Sequence, residues 1–490
     1  MNMNPFLLTD FYKVGHPFQY PEGTEFVYSN LTPRKSLLPG VDKMVFFGLQ
    51  QFVKKYLIEY FNDNFFSRPK DEVMDEYKRR ISTALGGHLP SYEHIESLHV
   101  LGYLPIKIKA LPEGSKVSMG IPCLTVVNTL PKYYWLTNFI ETLMSTSVWQ
   151  CCTSATIAHE YRKIFDKYAA LTGTPEWFVD WQGHDFSFRG MSSVESAINS
   201  GMGHLLSFTG TDTIPAIDGL ERYYNADADK ELIGGSVPAT EHSVMCSGEK
   251  DDEIGTFRRL ITEIYPHETV SIVSDTWDLW KVLTEYLPKL KDEIMARNGK
   301  VVIRPDSGNP VDIICGDLNA EPGTPAHKGV VELLWDVFGG TRTEQGYKML
   351  DEHIGAIYGD SITRDRATQI CERLMNKGFA SQVVFGIGSY TYQYNTRDTF
   401  GTAVKSTWVQ IKGKGVSIFK DPITDSGMKK SAKGLLCVRQ SDDGEYLLEQ
   451  DVSEDVEATG MLRTVFLDGQ LVEDDSLANI RGRLKGVSDE

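Results

Sequence analysis

Two opposite charges flank a proline in Arg304-Pro305-Asp306-Ser307-Gly308-Asn309-Pro310. Proline fixes the backbone after Arg304 and Gly308 permits a tight turn, so a guanidinium and a carboxylate are held out together at the end of an apolar run. An arginine so placed can grip a diphosphate oxygen, while an aspartate can accept ribose hydroxyls or hold a hydrated metal. The competing reading is a turn with an internal ion pair; rigid loops at strand ends commonly carry sites, which favours the first. A second charged stretch runs His184-Asp185-Phe186-Ser187-Phe188-Arg189-Gly190-Met191-Ser192-Ser193-Val194-Glu195. Ser192 and Glu195 have the spacing of a capping box, which predicts a helix through Ala197, Ile198 and Leu205. Arg189 then precedes a helix amino terminus, where free N–H groups already favour an anion and a guanidinium completes a phosphate site. A structural salt bridge between Arg189 and Asp185 fits the same motif equally well.

Weaker signals lie elsewhere. Gly359-Asp360 and Phe385-Gly386-Ile387-Gly388-Ser389 both follow apolar runs and offer backbone amides to a phosphate, although a glycine-rich turn is more often only a turn. His242 falls in the polar, proline-containing stretch Ser236-Val237-Pro238-Ala239-Thr240-Glu241-His242-Ser243; a lone histidine is more often structural. Arg397, Lys405, Lys420, Lys429, Lys430 and Lys433 concentrate positive charge near the end of an acidic chain. There is no Walker A motif and no complete GxGxxG fingerprint, so the common nucleotide-binding folds gain no support.

The elements that must position these groups alternate. From about residue 178 to 390, short β-branched runs are separated by amphipathic helical patterns at roughly 277–297, 329–338 and 363–377, the last closed by Gly378. The runs are Val270–Asp275, Lys300–Gly308, Ile354–Asp360 and Gln382–Ser389. Continuous apolar strands alternating with helices imply a parallel sheet covered on both faces, and functional residues at several carboxyl ends favour a barrel over an open doubly wound sheet. The flanks differ. Asp442-Asp443-Gly444 and Asp468-Gly469 are hairpin signals between β-rich runs, and the first 150 residues mix a helix over Gly48–Phe61 with strands at Ile106–Ala110 and Leu124–Asn128. The expected fold is α/β: a barrel-like parallel β/α core over 151–399, with a second, β-rich α+β domain formed from both termini, 1–150 plus 400–490.

At 490 residues the chain has room for two such domains. A net charge of −17 opposes general binding to nucleic acid or an anionic membrane, so phosphate substrates would need a local basic cluster. No apolar stretch reaches membrane-span length, and the opening residues lack the basic region of a secretory signal. The seven cysteines include no CxxC pair, which argues against a zinc site or disulfide framework and for a cytoplasmic setting.

Taken together these segments resemble the nicotinamide phosphoribosyltransferase family. The resemblance is carried by Thr9–Val14, Tyr134–Asn138, His184-Asp185-Phe186, Gly210-Thr211-Asp212-Thr213, Ser236–Ala239, Glu241-His242-Ser243, Val273-Ser274-Asp275, Ile303–Pro310, Gly359-Asp360 and Phe419–Pro422, in the family's order along nearly the whole chain. It implies an enzyme that joins nicotinamide to 5-phosphoribosyl 1-pyrophosphate, giving nicotinamide mononucleotide and pyrophosphate for NAD biosynthesis. It also implies a homodimer with shared active sites. Phe186 would stack on one face of the pyridine ring and Tyr12 of the partner subunit on the other. Asp212 would accept a hydrogen bond from the amide and repel nicotinate. Arg189 and Arg304 would hold the pyrophosphate, and Asp306 the ribose hydroxyls with a water-bridged magnesium. Gly359, Asp360, Ser389 and Arg397 would surround the phosphoribosyl group, with further charge from Arg34, Lys405, Lys420 and Lys429. His242 would be the histidine transiently phosphorylated by ATP.

Some positions depart from the family's pattern. Ser389 stands where a second glycine is usual, Ser187-Phe188 replaces Gly-Tyr, Trp277 replaces tyrosine before Asp278, and the basic loop after Arg34 is shorter. None removes a proposed catalytic group. Three rival readings are a nicotinate phosphoribosyltransferase, a non-catalytic nucleotide-sensing protein on the same fold, and a barrel hydrolase using Asp212 and Asp306 as paired carboxylates. Asp212 argues against the first, the joint presence of Arg189, His242, Arg304 and Asp306 against the second, and the surrounding positive charge against the third.

Overall fold

Six short segments pair as a parallel sheet: the four expected apolar runs and two polar ones, Gly183-His184-Asp185 and Gly210-Thr211, which sequence pattern did not announce. We label them β1 (Gly183–Asp185), β2 (Gly210–Thr211), β3 (Val270–Val273), β4 (Val301–Arg304), β5 (Ile354–Tyr358) and β6 (Val384–Ile387). The computed structural model describes residues 3–359, 361–423 and 431–486. The strand order is β2-β1-β6-β5-β4-β3, with every neighbour parallel. Both outer strands are bridged by one further segment. Near its start, Thr211 N–H donates to the Gly235 carbonyl at 2.9 Å and Gly235 N–H to Thr209 at 2.8 Å. Near its end, Thr240 N–H donates to Ser271 at 2.9 Å and Ser271 N–H to Pro238 at 2.8 Å. This segment closes the sheet into a barrel-like ring and removes its open edges.

Helices lie between the strands in chain order. Val330–Phe338 buries Val330, Val331, Leu333, Leu334 and Phe338. Arg364–Asn376 is capped by the Thr363 side chain and buries Ala367, Ile370, Cys371 and Leu374 at helical spacing; Gly378, at φ +77°, turns the chain beyond its end. The helix after β1 spans Val194–His204, and its cap is a correction to the expected one. The Ser193 side chain accepts from Ser196 N–H at 3.1 Å, so Ser193 rather than Ser192 ends the loop. Adjacent serines are equally competent caps, and the extended backbone of Ser193 (φ −163°) decides between them.

By packing, the chain divides into two compact units. One comprises Met1–Thr156, Asp218–Asp227 and Asn395–Glu490, the other Ile157–Ile217 and Ala228–Tyr394. The barrel belongs wholly to the second. The ten residues from Asp218 to Asp227 join the terminal segments, an excursion that no composition change marks.

In the terminal unit a seven-stranded antiparallel sheet runs in the order Lys414–Ser417, Ala403–Ile411, Thr24–Thr32, Leu124–Asn128, Ile106–Ala110, Arg463–Leu467, Gln470–Leu471. Its central strand, Thr24–Thr32, pairs with Ala403–Ile411 on one side and Leu124–Asn128 on the other, so early and late segments share one sheet. Its core includes Phe6, Phe52, Phe61, Phe65, Tyr77, Trp135 and Phe139, which make edge-on and tilted ring contacts. The hairpin at 442–444 joins Leu435–Gln440 to Tyr446–Val452, and that at 468–469 joins Arg463–Leu467 to Gln470–Leu471. The expected helix from Gly48 is α-helical over Leu49–Phe52 and widens to π turns over Val53–Tyr60. Among the described residues no helix is long and apolar enough to cross a membrane.

Candidate active site

The carboxyl ends of parallel barrel strands open on one mouth, so residues far apart in sequence converge there. Strand β1 delivers Asp185 and Phe186, β2 Asp212, β3 Ser274 and Asp275, β4 Arg304 and Asp306, β5 Gly359, and β6 Gly388 and Ser389. All of these belong to the barrel unit.

Asp212 is the most elaborately held. Its N–H donates to the Asp185 carbonyl at 3.0 Å, which fixes its backbone. Its Oδ1 lies 2.9 Å from His184 Nε2 and accepts from Ser236 Oγ at 2.7 Å. Burial acts to raise its carboxyl, but the hydrogen bonds from His184 and Ser236 and the positive charge of Arg304 outweigh it and hold the pKa below the ordinary carboxylate range. The His184 ring also contacts the Phe186 ring, centroid to centroid 4.5 Å at 43°, so the Asp212 carboxylate and the Phe186 ring share one support. Phe186 is seated by its own N–H on the Ile387 carbonyl at 3.0 Å. Gly386 makes room for it: a Cβ there would come within 2.7 Å of Phe186 Cδ2 and 2.8 Å of the Gly359 carbonyl oxygen.

Arg304 and Asp306 form the second group. The Arg304 Nε is buried and donates to no acceptor among the described residues. Burial pushes its guanidinium down from the ordinary value; Asp306, Asp212 and Asp275 pull the other way, and Arg189 is near enough to add like-charge repulsion. One oxygen of Asp275, Oδ2, accepts both the Asp306 N–H at 2.8 Å and the Ser307 N–H at 2.7 Å, which sets the loop that carries Asp306. The other, Oδ1, is buried with no hydrogen bond and lies 3.5 Å from His242 Nε2. His242 opens the short helix His242–Ser247 and is 45% exposed, so the ring is open to a reactant on one side and faces a carboxylate on the other.

Arg189 sits in the turn Phe188–Gly190 and is exposed. The salt bridge with Asp185 is absent among the described residues: Asp185 Oδ1 accepts from Ser187 N–H at 2.9 Å and Oδ2 is buried without a partner. Arg189 makes no ion pair among the described residues. Ser389 starts the helix Ser389–Gln393 and lies against Gly190, its Oγ 2.0 Å from where a Cβ on that glycine would stand. Gly359 faces Asp306 in the same manner, with 2.5 Å between Oδ1 and a Cβ built there.

The remaining expected residues lie in the terminal unit. Tyr12 is 61% exposed beside Phe11, on the helix Phe11–Val14. Lys405 is pushed down by burial, with Arg34, Lys420 and Arg397 close enough to repel it and Glu141 opposing, so these four cations form one cluster. Arg34 Nε donates to the Gly401 carbonyl at 2.8 Å, which orients it. Asp360 and Lys429 lie outside the described residues.

Three contributors were not singled out as site residues in the sequence: His184, Ser236 and Asp275. Each acts through a partner 24 to 32 positions away, carried by another strand of the ring. The signals were weak: His184 heads the charged stretch 184–195, Ser236 lies in the polar stretch around His242, and Asp275 is a polar residue at a predicted strand end.

Residues 181–470 match the Nicotinate phosphoribosyltransferase (NAPRTase) family, and residues 4–108 match the Nicotinamide phosphoribosyltransferase, N-terminal domain. A nicotinamide phosphoribosyltransferase of Acinetobacter baylyi is 56% identical over 98% of this chain and 97% of its own length. That of Xanthomonas campestris pv. campestris is 32% identical over 98% and 97%. In fold, the crystal structure of human nicotinic acid phosphoribosyltransferase superposes with a TM-score of 0.59 over 98% of this chain and 94% of that one, at 15% identity. On these similarities, which run through both units, the chain belongs to the nicotinamide phosphoribosyltransferase family.

Proposed function

We infer that the chain transfers the phosphoribosyl group of 5-phosphoribosyl 1-pyrophosphate to the ring nitrogen of nicotinamide, releasing nicotinamide mononucleotide and pyrophosphate in NAD biosynthesis. The observation that carries this reading is the meeting, at one barrel mouth, of an anionic Asp212 and a seated Phe186 with the Arg189, Arg304 and Asp306 group. Breaking the C1–pyrophosphate bond develops positive charge on the ribose and negative charge on the leaving group. Arg304, with a buried and unpaired donor, and Arg189, without an ion pair, stabilise that negative charge. Phe186 orients the pyridine so that its nitrogen attacks the opposite face of C1. That nitrogen carries no proton, so no general base is required, and Asp306 is left to hold the ribose hydroxyls.

Among the described residues no three His, Cys, Asp or Glu side chains converge as a metal cage. Magnesium would arrive on the phosphates, and Asp306 is the carboxylate that would hold it. Bound there, the ion supplies charge against the departing pyrophosphate. In a homodimer, Tyr12 of the partner subunit covers the second face of the base, and the cluster of Arg34, Arg397, Lys405 and Lys420, with Lys429, adds positive charge to the phosphate side; the exposure of Tyr12 and the mutual repulsion around Lys405 support this reading. ATP phosphorylates His242, whose partly exposed ring beside Asp275 suits a transient phosphohistidine. The seven cysteines form no disulfide among the described residues, which fits a cytoplasmic setting. The match of residues 181–470 to the nicotinate family favours a second reading, nicotinate as the base, against which the anionic Asp212 stands.

Purified protein supplied with magnesium, phosphoribosyl pyrophosphate and nicotinamide should form mononucleotide and pyrophosphate in equal amounts. Labelled ATP should leave acid-labile phosphate on the wild type and none on His242→Ala. Absence of mononucleotide under all these conditions would leave a nucleotide-sensing protein as the better description.

A further inference from the structure

We infer that His184 and Ser236 are specificity-determining positioning residues: together they commit one oxygen of Asp212 and leave the other for the amide of the base. The inference rests on the role given to Asp212 above. His184 lies on β1 and is 7% exposed. Its ring is clamped between two surfaces. On one side the Phe186 ring stands 4.5 Å away; on the other, a Cβ on Gly210 would come within 2.8 Å of Nδ1, so only the bare backbone of a glycine fits there. Nε2 is thereby held 2.9 Å from Asp212 Oδ1, and Ser236, on the segment that closes the barrel, donates to the same atom at 2.7 Å.

Two donors on one oxygen have two consequences. They stabilise the ionised carboxylate, since an anion accepts both bonds while a protonated oxygen would lose one. They also stop the carboxylate from rotating, because Asp212 N–H is fixed on Asp185 while both donors stay on Oδ1. Oδ2 accepts nothing among the described residues and is the atom left to receive the NH2 of nicotinamide. A neutral Asp212 would present a hydroxyl as readily as a lone pair, and a hydroxyl donates to the carboxylate of nicotinate; a freely rotating one would offer the amide no fixed acceptor. Discrimination between amide and acid therefore depends on the two donors as well as on Asp212 itself.

The test is the ratio of kcat/KM for nicotinamide to that for nicotinate, measured with the full-length protein. His184→Phe keeps the ring and removes the donor; Ser236→Ala removes the other at an exposed position. Each should lower the ratio by about tenfold, the loss of one hydrogen bond to a charged group. The change should come through a higher KM for nicotinamide and a gain of nicotinate turnover, with the KM for phosphoribosyl pyrophosphate held within about twofold. His184→Gln and Ser236→Thr, which restore a donor, should recover most of the ratio. An unchanged ratio in Ser236→Ala and in folded His184→Phe, beside a collapse in Asp212→Asn, would overturn the inference and leave the role of Asp212 standing. A parallel fall of kcat for both bases would overturn it in favour of a structural role. If Asp212→Asn also keeps the ratio, the reading of Asp212 itself fails. Should His184→Phe not fold, Ser236→Ala and Ser236→Thr decide alone.

Discussion

Replacing Gly386 by alanine puts one methyl group between the Phe186 ring and the Gly359 carbonyl. Gly386 is not among the residues at positive φ, so the backbone accepts alanine and any cost comes from contact. The new Cβ would stand 2.7 Å from Phe186 Cδ2 and 2.8 Å from the Gly359 oxygen. Carbon atoms pack at about 3.5 Å or more, so the Phe186 ring must retreat by roughly 0.8 Å. Retreat on the other side is harder, because Gly359 is backbone and already lies against Asp306. Overpacking of this kind costs about 1–3 kcal/mol. For a unit of this size each kcal/mol lowers the melting midpoint by about 2–4 °C. A misplacement approaching 1 Å in the stacking ring should raise the nicotinamide KM and reduce kcat/KM by up to about a hundredfold. Scanning calorimetry and initial-rate assays over nicotinamide concentration read the two effects. Gly388→Ala is the stability control, since a Cβ there meets nothing within 4 Å. A Gly386→Ala protein with wild-type melting and wild-type nicotinamide KM would refute the reasoning that Phe186 is seated through this glycine.

Arg304→Lys keeps the charge among Asp212, Asp275 and Asp306 but loses the planar fork; initial rates should show the KM for phosphoribosyl pyrophosphate up by about tenfold with little change in melting. Asp275→Asn should weaken both of its attachments. Its amide cannot serve the His242 side and the Asp306 loop alike, so ATP stimulation should fall together with affinity for phosphoribosyl pyrophosphate, whereas loss of only one would separate the two roles. Glu113, in the terminal unit, is fully buried and pushed up to about 7 by burial, against donors from Gln50, Gly48 and Tyr224. A carboxyl raised above its unfolded value binds a proton in the native state that the unfolded chain has released. Stability should therefore fall as pH rises from about 4.5 to about 7 and level off above, and Glu113→Gln should flatten that slope in melting curves taken across the range.

Four of the six parallel strands were readable because they are continuous apolar runs ending in Gly, Asp, Ser or Arg, and Arg304, Asp306, Gly359 and Ser389 do fall at those ends; β1 and β2 are short and polar and carry no such signal. Proline and glycine punctuation told where each loop begins. What stayed hidden are facts of the third dimension. The closing segment around Gly235–Thr240 has no β-branched run and contains Pro238; it joins the sheet through bridges at its two ends, a pattern without periodicity. The pairing of His184 with Asp212, and of Asp275 with the loop of Asp306, depends on which strands are neighbours in the ring. Local sequence does not encode that order. The cap at Ser193 rather than Ser192 is the ordinary one-residue ambiguity at a helix end, resolved only by backbone angles.

Choice of base is proposed to depend on Asp212, an anion that accepts the amide and repels the acid. Two carboxylates about 4 Å apart in a half-exposed site repel by roughly 1–4 kcal/mol, from bulk water to an effective dielectric of about 20. Competition between nicotinamide and nicotinate at equal concentrations, with magnesium and phosphoribosyl pyrophosphate, measures the consequence directly. The wild type should favour nicotinamide by at least about fivefold, and Asp212→Asn should bring the two bases close to parity. Turnover of nicotinate as fast as nicotinamide by the wild type, or an unaltered preference in Asp212→Asn, would contradict it.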